Sequence, residues 1–115
     1  MFRVLGFLSM KDGTETQEFM DYYEHSHVPL ICSLAPTPIV YKRRYVRREE
    51  KLASEGGAVD FDVITELAFT DRQAFQAWMA QLLASAKVAA DEEKFLDRSK
   101  TRASIAVKLA RRRHS

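Results

Sequence analysis

Two periods of hydrophobic spacing divide this chain into elements. From Phe2 to Leu8 the period is two: Phe2, Val4 and Leu8 point one way, and Arg3, Leu5 and Phe7 the other. Both sides are largely apolar, which predicts a central strand covered on two faces. Lys11-Asp12-Gly13 reads as a turn. The period then lengthens. Phe19, Tyr23, His27, Leu30 and Leu34 recur at spacings of three and four, the signature of one helical face. Met20, Val28 and Ile31 widen that face, and Glu18, Asp21 and Glu24 fall on the solvent side. Thr14, with Gln17 three residues on, predicts a capping box at the helix start. Pro29 removes a backbone donor and bends or breaks the helix. Ala35-Pro36-Thr37-Pro38 ends it.

The period returns to two from Ile39 to Arg48, where charges on both faces argue for an edge strand. A polar hairpin loop over 49–59 carries Gly56-Gly57 at its tip. A third strand over 61–69 places Phe61, Val63, Thr65, Leu67 and Phe69 on one face. Thr70-Asp71-Arg72-Gln73 repeats the capping pattern. Phe75, Trp78, Met79, Leu82 and Leu83 then give a second helix its apolar stripe. A shorter segment from Val88 packs through Phe95 and Leu96. The last strand, over 103–109, puts Ala103, Ile105, Val107 and Leu109 on one face, before a basic tail at Arg111-Arg112-Arg113.

The order β-α-β-β-α-β predicts an α+β, ferredoxin-like arrangement, with a four-stranded antiparallel sheet and both helices on one face. The other sheet face would carry Leu5, Phe7, Ile64 and Tyr45 in the open. A patch of that kind calls for cover, and a homodimer through the sheet face supplies it.

Composition narrows the classes. A length of 115 residues fits one domain, and a net charge of +2 is too small to point to nucleic acid. The apolar start of the chain is too short for a secretory leader or a membrane span, so a cytoplasmic protein without membrane contact is expected. The single cysteine, Cys32, excludes an internal disulfide. There is no glycine-rich phosphate loop. His25 and His27 stand two apart, where helical metal pairs need three or four, so neither metal nor nucleotide cofactor is expected.

His27 is the strongest chemical candidate. It lies on the buried stripe just before the Pro29 break, while His25, about 200° around the axis, faces water. An imidazole facing a pocket can move a proton next to a carbonyl. The plainer reading is a core histidine bonded to kinked backbone. Tyr23, one turn earlier, either polarises a substrate oxygen or is core with its hydroxyl at the rim. Thr65, the polar member of a buried strand face, lines the same pocket or bonds to backbone. Phe19, Phe69 and Trp78 are its apolar wall, with Tyr45 a further substrate contact. Asp91 and Glu92 form a candidate acid pair: Asp91 either orients His27, as carboxylates do for catalytic imidazoles, or caps a helix N-terminus beside a solvated Glu92. The arginines from Arg43 to Arg48 read as a solvated edge with dimer salt bridges, and Asp62 and Glu66 as partners for Arg3.

Three stretches resemble the EthD family of dimeric α/β-barrel proteins. They are Glu18-Phe19 through Tyr23, His27, Pro29 and Leu30; Phe61-Asp62 through Glu66-Leu67 to Phe69; and Ala90-Asp91-Glu92 with Phe95-Leu96-Asp97. The resemblance implies the dimeric barrel and a pocket between sheet and helices. Relatives include a protein required for ether degradation, a lactone isomerase, and fungal dehydratases or decarboxylases of aromatic polyketide pathways. Cys32 does not match the isomerase's cysteine position, so isomerase chemistry does not transfer. The expectation is a cofactor-independent enzyme acting by acid/base chemistry on a small hydrophobic, cyclic or aromatic oxygenated compound. His27, Tyr23 and Asp91 would be its catalytic set. The alternatives are a non-catalytic accessory protein that holds such a compound and, more remotely, a heme binder using His27.

Overall fold

The computed structural model describes residues 1–46 and 60–107. Its strands are β1 (Phe2–Leu8), β2 (Val40–Tyr45), β3 (Val63–Phe69) and β4 (Arg102–Ala106). Its helices are α1 (Thr16–Tyr22), α2 (Val28–Leu34), α3 (Arg72–Leu83) and α4 (Ala86–Phe95). A π-helical turn, Tyr23–His27, joins α1 to α2, and a 3-10 turn, Arg98–Lys100, precedes β4. All strand pairs are antiparallel, in the order β2-β3-β1-β4. This is the ferredoxin-like α+β arrangement, with β1 central and β2 at an edge.

Register decides which side chains share a face. Val4 stands opposite Leu67 and Ile105, and Gly6 opposite Thr65 and Ala103. That row lies under the helices. Two apolar clusters fill the layer between. Val4, Ile31, Leu67, Phe69, Trp78, Leu82 and Val88 form one, and Phe19, Tyr23, Val63, Phe95 and Leu96 the other. Arg3, Leu5, Phe7 and Ile64 lie on the opposite face, which no helix among the described residues covers, and there Arg3 pairs with Glu66 at 3.6 Å. Asp62 instead accepts the Met10 N–H at 2.7 Å. No helix among the described residues is long and apolar enough to cross a membrane.

Several boundaries differ from expectation. Thr14 does not cap α1: its N–H bonds the Lys11 carbonyl at 3.1 Å, closing the turn at Gly13, and the helix begins one step later, behind Glu15. At α3 the cap is Asp71, not Thr70, accepting the Ala74 N–H at 2.8 Å. Leu83, placed on the buried stripe, is 79% exposed at the helix end. Phe61 precedes β3 and its ring meets Phe7 on the uncovered side, centroids 5.2 Å apart, rather than joining Val63. The segment from Val88 is part of a full helix that starts at Ala86 behind its Ser85 cap. The 49–59 loop, Arg47, Arg48, Leu109 and the 111–113 tail lie outside the described residues.

Candidate functional site

The site begins with Pro29. Proline has no N–H to give back to the carbonyl four residues earlier, and its ring crowds that carbonyl. The helix absorbs this by widening for one turn: the Val28 N–H reaches five residues back to the Tyr23 carbonyl. Pro29 then sits in the first turn of α2, where a donor is not needed. π turns of this kind recur at functional sites. Here the turn carries His27 and Tyr23 inward while His25 stays exposed.

His27 is 5% exposed and packs against Phe95, ring centroids 4.9 Å apart. Its Nδ1 lies 2.8 Å from Asp91 Oδ2. The second oxygen of that carboxyl accepts the Tyr22 hydroxyl at 2.5 Å. A carboxylate only accepts, so Nδ1 is the donor in this contact, and in a neutral ring the lone pair then falls to Nε2. Asp91 is mid-helix in α4 and 9% exposed, not the solvated N-terminal cap of the plainer reading. The end of α4 is fixed to the segment that follows β1 by Lys11 N–H to Phe95 O at 3.0 Å and Asp97 N–H to Ser9 O at 2.9 Å. These contacts hold the carboxyl against the π turn.

His27 lines a cavity of about 290 Å³ between sheet and helices. Its wall is mostly apolar, from Val4, Ile31, Leu67, Trp78, Leu82 and Val88, with Tyr23, Thr65 and Glu92 among its polar members. The Tyr23 hydroxyl and Thr65 Oγ1 are 2.6 Å apart, a bond that ties the π turn to β3. Burial pushes the Tyr23 phenol up to about 12, so it is neutral at ordinary pH. The bond to Asp91, with burial, raises Tyr22 to about 12 as well. The indole Nε1 of Trp78 is buried with no hydrogen-bond partner among the described residues.

Tyr23, His27, Thr65 and Trp78 thus meet at the cavity. Phe19 lies behind Tyr23, and Phe69 borders a separate depression beside Pro36–Ile39; neither lines this cavity. Tyr45 is neither on the open face nor in the wall. It pairs with Val63, whose side chain is fully buried, so it points under the helices. There it meets Phe19 and donates to Glu24 at 2.6 Å. Glu24, expected in solvent, also grips Arg43 through two bonds of 2.6 and 2.8 Å, and that pairing lowers its carboxyl below the usual range. Sequence reasoning left Glu92 between an acid pair with Asp91 and a solvated position, and did not bring Arg98 and Arg102 to the cavity's edge. The signal for Glu92 was its place beside Asp91; helix geometry turns consecutive residues about 100° apart.

A ferredoxin-like sheet with an aspartate-held histidine at an apolar cavity defines the class. An EthD domain model matches residues 11–99, and the chain belongs to the EthD family. It is similar in structure to an EthD family protein from Bacillus halodurans, with 20% identity and a TM-score of 0.61 over 95% of this chain and 100% of that one. An EthD-like protein from Ralstonia eutropha shares 16% identity and a TM-score of 0.67 over 96% and 94%. A NIPSNAP domain protein from Burkholderia xenovorans shares 16% and 0.60 over 96% of each chain. None of the curated proteins matches the chain.

Proposed function

We propose that this protein is a cofactor-independent enzyme that moves a proton at the carbon beside a carbonyl of a small cyclic or aromatic compound. The observation that carries the reading is the buried His27–Asp91 contact of 2.8 Å at the wall of an apolar cavity. Asp91 fixes the ring and its tautomer, and Nε2 serves as the base. The cavity's size, at the small end of the roughly 300–1,000 Å³ typical of ligand pockets, suits one or two fused rings. Neutral hydroxyls at Tyr23 and Thr65 supply polarity without charge. Holding a ligand without turnover is the alternative, and a carboxylate placed on His27 counts against it. A homodimer belongs to the same proposal, supported by Leu5, Phe7 and Ile64 on the uncovered sheet face.

The test is proton–deuterium exchange at the α-carbon of 1-tetralone, a bicyclic aromatic ketone, followed by NMR. Wild type exchanges the α-protons faster than buffer, and His27→Ala loses roughly 10²–10⁴-fold of that rate. A folded His27→Ala protein exchanging at the wild-type rate contradicts the reading.

A further inference from the structure

We propose that Glu92 is the second proton-transfer group of this site, the acid that protonates the substrate oxygen while His27 takes the carbon-bound proton. This rests on the acid/base reading of His27 and adds the group that reading lacks. Asp91 and Glu92 are consecutive on α4 but face different surroundings. Asp91 turns to the junction of α1 and the π turn, where the Tyr22 hydroxyl and His27 Nδ1 occupy its two oxygens. Glu92 turns to the cavity wall that His27, Tyr23 and Thr65 also line. Two carboxyls in unlike environments are suited to unlike tasks.

Among the described residues, the charged and titratable groups around Glu92 are His27 and Tyr23 from the π turn, Asp91 from its own helix and Arg98 from the 3-10 turn, with Arg102 of β4 at the same cavity's edge. Burial pushes the Glu92 carboxyl up from the ordinary glutamate range, and the Asp91 charge adds to this; His27 and Arg98 pull the other way. Arg98 Nε is 3.6 Å from Glu92 Oε1, beyond a good hydrogen bond, and its side chain is half exposed, so water screens it. Burial, though partial, is the larger influence, so the Glu92 carboxyl keeps its proton to a higher pH than an ordinary glutamate. In the enolisation step the α C–H bond breaks and its proton goes to His27 Nε2. The C–H electron pair forms the C=C bond, and the carbonyl π pair moves to oxygen, which takes the Glu92 proton. Ketonisation returns both protons, so nothing is consumed.

The experiment compares kcat and KM for 1-tetralone exchange against pH in wild type, His27→Ala, Glu92→Gln and Glu92→Asp. Melting curves establish folding. The expected result is a loss of about a hundredfold in kcat for Glu92→Gln, with KM changed little and partial recovery in Glu92→Asp. Wild-type kcat falls as pH rises past the glutamate's pKa, and Glu92→Gln lacks that fall. Glu92→Gln with wild-type kcat, or with only KM raised, overturns the role of Glu92 and leaves His27 as base intact. Full exchange in His27→Ala removes the base while the Glu92→Gln profile still reads Glu92 by itself. No exchange by wild type overturns both.

Discussion

At the scale of single residues, the site depends on pairs whose members protect each other from burial without a partner. Tyr23 and Thr65 are both buried and bond at 2.6 Å. Thr65→Val leaves the tyrosine hydroxyl unsatisfied and should cost about 1–3 kcal/mol in urea unfolding. Adding Tyr23→Phe should recover much of that loss, since both partners are then apolar. Glu92 behaves oppositely, because its folded pKa is raised above the ordinary 4.5. Its contribution to stability is complete below that value and is lost as pH rises through the folded pKa. The stability of Glu92→Gln relative to wild type should therefore grow between pH 4 and pH 8 in thermal melts. A constant difference would mean that Glu92 titrates as it does in the unfolded chain. A residue that destabilises its own fold at working pH is what a functional site tolerates.

At the scale of elements, the π turn is the device that sets the site. His27 on an inward stripe before Pro29 was legible, because both the three-to-four spacing and the missing donor are written locally. The contact with Asp91 was open to two readings, since it crosses 64 residues of chain and depends on where α4 ends. The Thr14 capping box did not form: the turn at Gly13 takes the Thr14 N–H that Gln17 would have accepted, Gln17 bonds Asp21 instead, and the helix starts behind Glu15. Pro29→Ala restores an N–H and relieves the ring clash, so the turn should relax toward a regular α-helix. Stability should change by no more than about 1 kcal/mol. Under the proposed acid/base reading, exchange of 1-tetralone should nonetheless fall by about tenfold or more, because small displacements of the proton-transfer groups are costly. An unchanged rate would remove the π turn from the account.

At the scale of the whole molecule, strand order and layer arrangement followed from the alternation of two periods. The β1 register needs only its two apolar rows, and the charged rows of β2 marked an edge. Side-chain destinations on that edge were harder. Tyr45 was read both on the open face and as a substrate contact, but it stands opposite Val63 under the helices, where Glu24 takes its hydroxyl. Glu92 was legible as half of an acid pair with Asp91, but its place at the cavity was not, because partial burial of a carboxyl is a property of the assembled cavity. The uncovered face gives the remaining prediction. Phe7 stands there against Phe61, and Phe7→Glu puts a charge into the proposed sheet-to-sheet contact. Sedimentation should show a dimer for the native chain and a folded monomer for the variant. A native monomer would contradict the dimer.

The central claim is that Asp91 holds His27 with Nδ1 protonated and Nε2 turned to its task. Long-range proton–nitrogen NMR of the histidine side chains reads this directly, at a pH where the ring is neutral. The account predicts the Nδ1–H tautomer for His27, with the nitrogen signals moving on Asp91→Asn while those of exposed His25 stay in place. An Nε2–H tautomer, or a His27 spectrum indifferent to Asp91→Asn, would contradict it.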